Sequence, residues 1–400
     1  MEEVLDDESL VRSKQSSRCL SVIFAIIGIG YLFPFSALTQ PVDYWHVLFP
    51  TLDMEFYITS VYLYTNVVAL GLVVSFGSIK NLSYAQRIVG GFLGQLTVLV
   101  FVPLASYIIY NESALAAAIL SATAVAAIST AFLDSCVIAL ASTFPVQVQE
   151  ALQFGVGLST LIGSLYRDLT KLVFPQDQVK TSSAVYFLVG VFTIATCIAA
   201  YSQVRRFQRN ENTPEINYQV MSESTDVPSS HRWKVLRKCL PIYCITVVMF
   251  ITTLSVWPPL VTEIKSFNSP ALQSSGWWPL ILLTIVSVTD CIGRLFVPYR
   301  LGLTKETLWK PVAVRVLLVP CIVMCVRGIW FTHDAWSVLF VSLLGLSNGF
   351  LGSLCIIFAT EMVDDPADRP TAGSFAGFFL ISGLVIGSSV GLAFTKMIRD

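Results

Sequence analysis

Residues 279–299 read PLILLTIVSVTDCIGRLFVPY, an apolar stretch interrupted by one acid and one base. A stretch of about twenty apolar residues is the length that a helix needs to cross the hydrocarbon core of a membrane. Asp290 and Arg294 are four residues apart, so they share one face of that helix. Charged side chains near the centre of a bilayer are costly unless they are paired or face a wet cavity. The stretch therefore predicts a membrane-spanning helix that lines a pathway for a solute or an ion.

The composition of the whole chain also indicates a membrane protein. Hydrophobic residues make up 54% of the 400 residues and charged residues 13%, whereas about 25% of the residues are charged in soluble domains. With about twenty residues in each helix, the chain has room for roughly ten to twelve spans and for no soluble catalytic domain. The net charge of −1 argues against nucleic acid as a partner, since that partner requires a basic face.

Apolar segments predict an all-α membrane protein with about eleven transmembrane helices. The segments lie near 19–40, 57–79, 88–110, 114–142, 145–174, 182–204, 236–262, 277–299, 310–332, 335–362 and 371–398. A polar stretch with the composition of a flexible linker separates the sixth segment from the seventh. We therefore expect four parts, which are a cytoplasmic tail over 1–18, a six-helix bundle over 19–204, a cytoplasmic linker over 205–235 and a five-helix bundle over 236–400.

The basic residues predict the orientation of the chain. Lysines and arginines are concentrated in the N-terminal tail and in alternate loops from there, and such loops face the cytoplasm. The predicted spans then place the N-terminus inside and the C-terminus outside. We expect the plasma membrane rather than an internal one. The sequon that begins at Asn111 falls on the outer side and is a candidate for glycosylation. One inner loop departs from the rule, because Asp364, Asp365 and Asp368 outweigh Arg369.

Few ionisable residues fall inside the predicted spans. They are Asp134, Arg167, Asp290, Arg294 and Arg315, with the amide of Asn348 beside them. Asp290 and Arg294 can satisfy one another, which leaves two interpretations open. The pair is either a local salt bridge that lets the span insert, or a binding site for a polar, uncharged solute, in which Arg294 donates hydrogen bonds and Asp290 accepts them.

Asp134 has no basic residue at helical spacing, so its partner must come from another span. Burial disfavours the charged form of a carboxyl group and would permit proton exchange. Two roles stay open for this residue: contact with a substrate or a proton, or a structural pair with Arg167 or Arg315.

The histidines argue against an enzyme. His46, His231 and His333 fall in predicted loops or at span ends on different sides of the membrane. No base therefore lies near a buried nucleophile, and no set of metal ligands is brought together. We expect no cofactor and no metal. A receptor would need neither so many spans nor paired buried charge, and a channel lacks its pore-loop signature here.

Several stretches in the same order resemble the equilibrative nucleoside transporter family. GIGYLFPF at 28–35 is similar to the family's first-span pattern, in which glycines precede LLPWN. TDCIGR at 289–294 is similar to FDxxGR, and SNGFLGSL at 347–354 is similar to SNGYLxSL of the tenth span. Ala372-Gly373 and a ladder of glycines in the last span follow.

The resemblance implies a six-plus-five arrangement of helices related to the major facilitator type, with alternating access to a central site for a nucleoside or nucleobase. In the family, the residues matched by Asp290 and Arg294 are implicated in holding the ribose and in gating. Leu32, Phe35 and Trp257 match positions that line the same cavity, where flat apolar walls would stack a base.

Two departures from the family pattern bear on the substrate. Asp134 stands where animal members have a glutamine that contacts the base, and the surroundings of Arg167 resemble plant and fungal members, some of which are thought to be proton-coupled. We therefore expect a nucleoside transporter, facilitative or coupled to protons. The alternatives are a nucleobase or organic-cation carrier of the same fold and, from other classes, a channel or a receptor.

Overall fold

The predicted apolar segments are helices in the structure, a computed structural model that describes residues 2–76, 83–175, 178–210 and 229–399. The N-terminal half contains α1 (Glu2–Thr39), α2 (Val42–Leu48), α3 (Met54–Phe76), α4 (Tyr84–Ile108), α5 (Glu112–Asp134), α6 (Val137–Ser142), α7 (Val146–Val173) and α8 (Val179–Asn210). The C-terminal half contains α9 (Ser229–Leu254), α10 (Pro259–Glu263), α11 (Pro270–Ser274), α12 (Trp277–Leu295), α13 (Trp309–Arg315), α14 (Leu318–Arg327), α15 (Asp334–Glu361) and α16 (Arg369–Arg399). Short 3-10 helices cover Val297–Gly302 and Pro366–Asp368.

The prediction of an all-α membrane protein with about eleven transmembrane helices is confirmed. Within the described ranges, 10 helical segments are long and apolar enough to cross a membrane. The remaining long helix is α7, with 28 residues. It is more polar than the others because its buried face carries amide, hydroxyl and guanidinium groups, which are Gln149, Gln153, Ser159, Ser164, Arg167 and Thr170. Because this polar face is buried, α7 lies next to the interior of the bundle.

Three of the predicted spans are each built from two helices. The break between α5 and α6 follows Asp134, and the break between α13 and α14 follows Arg315. The break between α9 and α10 contains Trp257, whose peptide bond to Pro258 is cis. A helix break frees backbone groups and changes the direction of the chain. Asp134, Trp257 and Arg315 thus lie at or next to the points where their spans bend.

Glycines allow the helices of each half to approach closely. In the N-terminal half, a Cβ atom at Gly155 of α7 would clash with the carbonyl oxygen of Ala25 on α1. In the C-terminal half, a Cβ atom at Gly349 of α15 would clash with the backbone of Asp290 on α12. Such contacts are typical of helix packing in membranes, where small residues let backbones meet. They fix α7 and α12 beside their neighbours and so place the side chains between the halves.

The helices extend beyond the predicted boundaries of the four parts. The first helix begins at Glu2, so residues 2–18 of the predicted tail continue directly into the first span. Likewise α8 reaches Asn210 and α9 starts at Ser229, within the predicted linker 205–235. Residues 211–228 of that linker lie outside the described residues.

The acidic loop that departs from the charge rule is matched by bases. The Lys238 ammonium donates to the carboxylate of Asp364, and the ring of His231 lies 2.7 Å from Oδ1 of Asp368. The hydrogen bond from Lys238 and its positive charge lower the pKa of Asp364 below its usual range. The loop therefore balances the basic start of α9 rather than adding an excess of negative charge.

Candidate substrate-binding site

A cavity of about 130 Å³ lies between the two halves. Helices from both halves line it, and its walls include every residue that the sequence predicts to bind the substrate. These residues are Leu32, Phe35, Asp134, Trp257, Asp290 and Arg294, and Asn348 joins them. Arg167 and Arg315, predicted as gating or structural groups, are buried elsewhere.

Asp290 and Arg294 form the salt bridge that their spacing predicts. Nε of Arg294 donates to Oδ2 of Asp290 over 2.8 Å, and both side chains are buried. The other carboxylate oxygen accepts from Nδ2 of Asn348 at 2.7 Å. Oδ1 of that asparagine in turn accepts from the Thr253 hydroxyl at 2.8 Å. A network of donors and acceptors thus covers the C-terminal wall of the cavity.

The same arginine also connects the halves. Its Nη1 donates to the backbone oxygen of Gln153 on α7 at 2.9 Å and to the side-chain oxygen of that residue at 3.1 Å. Space for the contact comes from Gly157, where a Cβ atom would lie 2.5 Å from Cδ of Arg294. This geometry is compatible with both interpretations of the pair, a local salt bridge and a binding site. The salt bridge joins two residues of α12, and it lies in the cavity wall, where Arg294 also contacts the other half.

Asp134 is the acid on the opposite wall. It is almost completely buried, and it accepts hydrogen bonds from the Tyr31 hydroxyl and from Nδ2 of Asn66, the latter at 3.0 Å. Both donors are neutral and come from other helices, α1 and α3. The predicted alternative of a structural pair with Arg167 or Arg315 is wrong.

The two arginines have other partners. Arg167 forms a salt bridge with Asp43 of α2 and donates to the hydroxyls of Ser182 and Ser183. Arg315 donates to the carbonyl oxygens of Met249 and Leu344 and to the hydroxyls of Thr253 and Ser347. Each arginine therefore joins helices within its own half. A short helix outside the predicted spans supplies the Asp43 carboxylate, and no pattern in the sequence indicates that contact.

Flat apolar groups complete the cavity. The rings of Phe35 and Tyr62 pack at 4.8 Å between centroids, with their planes tilted by 44°. Trp257 is partly buried on the C-terminal side. Aromatic faces of this kind can stack on a planar ring. The cavity residues Tyr31, Asn66 and Gln153 were not predicted from the sequence, although the isolated amide of Asn66 in the second apolar segment is a visible signal.

A larger cavity of about 420 Å³ lies on the predicted outer side, also between the halves. It shares Leu254 with the central cavity. On the inner side the halves are in contact. The Thr360 hydroxyl of α15 donates to Gln149 of α7 at 2.9 Å, and Ile138 of α6 packs into the apolar cluster of the C-terminal half. Open space between the halves therefore lies on the outer side of the central cavity, where α7 and α12 are nevertheless also in contact, since Thr284 donates to Asp168 at 2.8 Å.

The arrangement of helices is that of known major facilitator transporters. The major facilitator superfamily proton:xylose symporter XylE, solved with 6-bromo-6-deoxy-D-glucose, has a TM-score of 0.65 and 10% identity, covering 96% of each chain. The human organic anion transporter MFSD10 has a TM-score of 0.54 and 12% identity, covering 95% of this chain and 92% of its own. The fold is therefore of the major facilitator type, with the described cavity at its centre.

Sequence comparisons identify the family. Residues 119–396 match the family described as Nucleoside transporter. Equilibrative nucleotide transporter 8 of Arabidopsis thaliana is 27% identical, covering 98% of both chains. Equilibrative nucleoside transporter 4 of Homo sapiens is 22% identical, covering 98% of this chain and 86% of its own. The chain belongs to the nucleoside transporter family, which confirms the resemblance found in the sequence. It is a multi-pass membrane protein that transports nucleosides, and not an enzyme.

Proposed function

We propose that the nucleoside binds in the central cavity and that the two halves give access to it alternately from each side of the membrane. The observation that carries this proposal is the contact of Arg294 with Gln153, because it places a charged group of one half against the other half within the cavity wall. A solute that replaces this contact changes the attraction between the halves. Binding and movement are thereby linked through one side chain.

One wall of the cavity is suited to the ribose of a nucleoside and another wall to its base. Asp290, Arg294 and Asn348 present acceptors and donors suited to ribose hydroxyls. Phe35 and Trp257 present apolar faces suited to a planar base, with Leu32 beside them. The mixture of a few polar groups with apolar walls is typical of small-molecule sites. It supports a neutral solute with a hydroxylated end and a flat end.

We further propose that transport is coupled to protons through Asp134. Its partners Tyr31 and Asn66 are neutral, and among the described residues no cation is hydrogen-bonded to it. A buried carboxylate without a cation is costly in a membrane, and protonation removes that cost. Because Asp134 lines the cavity, a change in its charge acts directly on the solute.

The experiment is uptake by purified protein in sealed vesicles. Labelled adenosine and uridine are offered with and without an inward proton gradient, and vesicles with an Arg294→Ala variant are the control. Saturable uptake of either nucleoside, above the control, supports the site. Faster uptake with the gradient supports proton coupling, whereas uptake at the same rate with and without the gradient indicates a facilitative carrier.

The acid in the cavity favours one second candidate, an organic cation as solute. A cationic ring system could pair with the carboxylate of Asp134 and lie against the aromatic face of Phe35. The same vesicles distinguish the candidates, because a positively charged solute would accumulate when the inside is made negative. Adenosine and uridine are uncharged and would not respond to that potential in a facilitative mode.

We also propose that the carrier lies in the plasma membrane, with its N-terminus in the cytoplasm. The charge asymmetry of the loops supports this orientation. The sequon residue Asn111 is exposed in the loop before α5, on the predicted outer side, and its side chain accepts from the backbone N–H of Ala114 at 3.0 Å.

A further inference from the structure

One end of the Asn66 side-chain amide, Nδ2, is hydrogen-bonded, and the other end, Oδ1, has no partner among the described residues. Asn66 lies on α3, is fully buried and lines the central cavity. Its Nδ2 donates to Oδ2 of Asp134 at 3.0 Å. Its Oδ1 is buried and accepts no hydrogen bond from any described residue. Buried carbonyl oxygens are nearly always satisfied, and because Asn66 lines the cavity, a solute in the cavity can supply the donor.

The orientation of the amide follows from the chemistry of its neighbour. An ionised carboxylate can only accept hydrogen bonds, so Asn66 must turn its NH₂ group toward Asp134. The other carboxylate oxygen is engaged by the Tyr31 hydroxyl. The oxygen of Asn66 is therefore held on the side away from Asp134, and Asp134 is the residue that positions it.

The hydroxyl groups near this end of the cavity donate their hydrogen bonds to protein atoms. The Thr130 hydroxyl donates to the carbonyl oxygen of Ala126 at 3.0 Å. Thr130 must then accept from the Tyr62 hydroxyl, 2.6 Å away, as it accepts from Nε2 of Gln95 at 2.9 Å. The hydroxyl protons of both Tyr31 and Tyr62 are thus directed into the protein. This end of the cavity offers acceptors to a solute.

We propose that Oδ1 of Asn66 accepts a hydrogen bond from an N–H group on the base of the solute. The donor is an exocyclic amino group, as in adenosine or cytidine, or a ring N–H, as in uridine or inosine. Asn66 thereby selects for bases that carry a donor and against analogues that lack one. This inference rests on the proposed function, since it takes the cavity to be the nucleoside site.

The test uses pairs of solutes in which one member lacks that donor, either by loss of the amino group or by replacement of the N–H hydrogen with a methyl group. Purine riboside lacks the amino group of adenosine and has no N–H on its base, and 3-methyluridine lacks the ring N–H of uridine. For the native protein we expect the half-saturation concentration of each analogue to be about tenfold higher than that of its parent, because the analogue leaves Oδ1 unsatisfied. In Asn66→Leu the half-saturation concentration of the parent should rise until it nearly equals that of its analogue.

Gln95→Leu is the matched control. Gln95 is likewise a fully buried amide in the same cluster, with an Oε1 that has no partner among the described residues, yet it does not line the cavity. Its loss should leave the ratio between parent and analogue unchanged. A general effect of removing a buried amide would instead change uptake of both solutes alike.

The outcomes separate this inference from the proposed function. If no nucleoside is taken up, the proposed function fails. If nucleosides are taken up but the native ratio is near one, or if Asn66→Leu keeps the native ratio, only the role of Asn66 is overturned. Should Asn66→Leu fail to reach the membrane, the smaller substitution Asn66→Ala decides, because it removes the same oxygen and leaves Asp134 unchanged. The ratio should then fall toward one, and an unchanged ratio overturns the proposal.

Discussion

The guanidinium group of Arg294 on α12 donates to the backbone oxygen of Gln153 on α7 over 2.9 Å, across the boundary between the halves. Removing that group leaves the carboxylate of Asp290 buried without its cation, and it also frees the acceptors on Gln153. The arginine is therefore both a partner in the cavity wall and a bond between the two halves.

Arg294→Ala should abolish most transport while the protein still reaches the membrane. Truncating one partner of a buried ion pair costs several kcal/mol of interaction, so we expect the uptake rate to fall by more than about tenfold. Arg294→Lys should recover little, because an ammonium cannot donate from the positions of Nε and Nη1 together. Initial uptake per molecule at the membrane is the measurement. Arg327→Ala, which removes an arginine at the outer end of α14, is the control, and normal uptake by Arg294→Ala would reduce the pair to a structural role.

Gly157→Ala should impair transport through a single methyl group. The added Cβ would lie 2.5 Å from Cδ of Arg294, so the arginine would have to leave its position. We expect a fall in uptake of about tenfold. Gly90→Ala is the matched control, since no heavy atom lies within 4 Å of its added Cβ. Equal uptake by the two alanine variants would show that the position of Arg294 is not critical.

Phe35→Ala and Trp257→Ala should weaken binding of the solute rather than turnover. Loss of one base-stacking side chain costs about 1–3 kcal/mol, which raises the half-saturation concentration by roughly five- to 150-fold. Phe35→Ala also removes the contact with Tyr62, so its expression must be measured alongside. Phe192→Ala, an exposed aromatic on α8, should bind normally. Unchanged half-saturation in both cavity variants would place the base elsewhere.

Uptake by the native protein should rise as the external pH falls. Lowering the pH protonates Asp134, which removes a buried negative charge that Tyr31 and Asn66 solvate only as neutral donors. Asp134→Asn mimics the protonated group, so its uptake should be nearly independent of pH and insensitive to a protonophore. Native uptake that stays flat between about pH 5 and 8 would exclude coupling at this residue.

Tags at the two ends should be accessible from opposite sides of sealed cells. The loop charges place the N-terminus inside and, after an odd number of spans, the C-terminus outside. Antibody access before and after permeabilisation measures this directly. Access to both tags from the same side would contradict the orientation.

The sequence predicted the spans well because length and hydrophobicity are local properties of the chain. It did not predict the break after Asp134, where no residue pattern marks the bend and the packing of neighbouring helices decides. The break after Arg315 is marked by Pro320, which cannot donate to the carbonyl oxygen of Val316 four residues before it. Trp257 and Pro258 were visible as an interruption. The conformation of their peptide bond was not.

The site could be predicted only where its residues are neighbours in sequence or resemble a family motif. Asp290 and Arg294 satisfy both conditions. The partners of Asp134 lie 103 and 68 residues away, on α1 and α3, so no spacing rule reaches them. Arg167 illustrates the same limit, since its carboxylate partner Asp43 is 124 residues away.

Ile138 belongs to the N-terminal half but is buried in the apolar cluster of the other half at the inner side. Separating the inner ends would withdraw this side chain, and burial of an isoleucine is worth about 1.5–3 kcal/mol. In the proposed alternating mechanism, opening toward the inside must therefore overcome the loss of this apolar contact. The outer ends of the halves are joined as well, because Thr284 donates to Asp168 over 2.8 Å and Lys171 donates to the carbonyl oxygen of Gly276 over 3.2 Å. Opening on either side thus has a free-energy barrier made of contacts between the halves, apolar at the inner end and polar at the outer end.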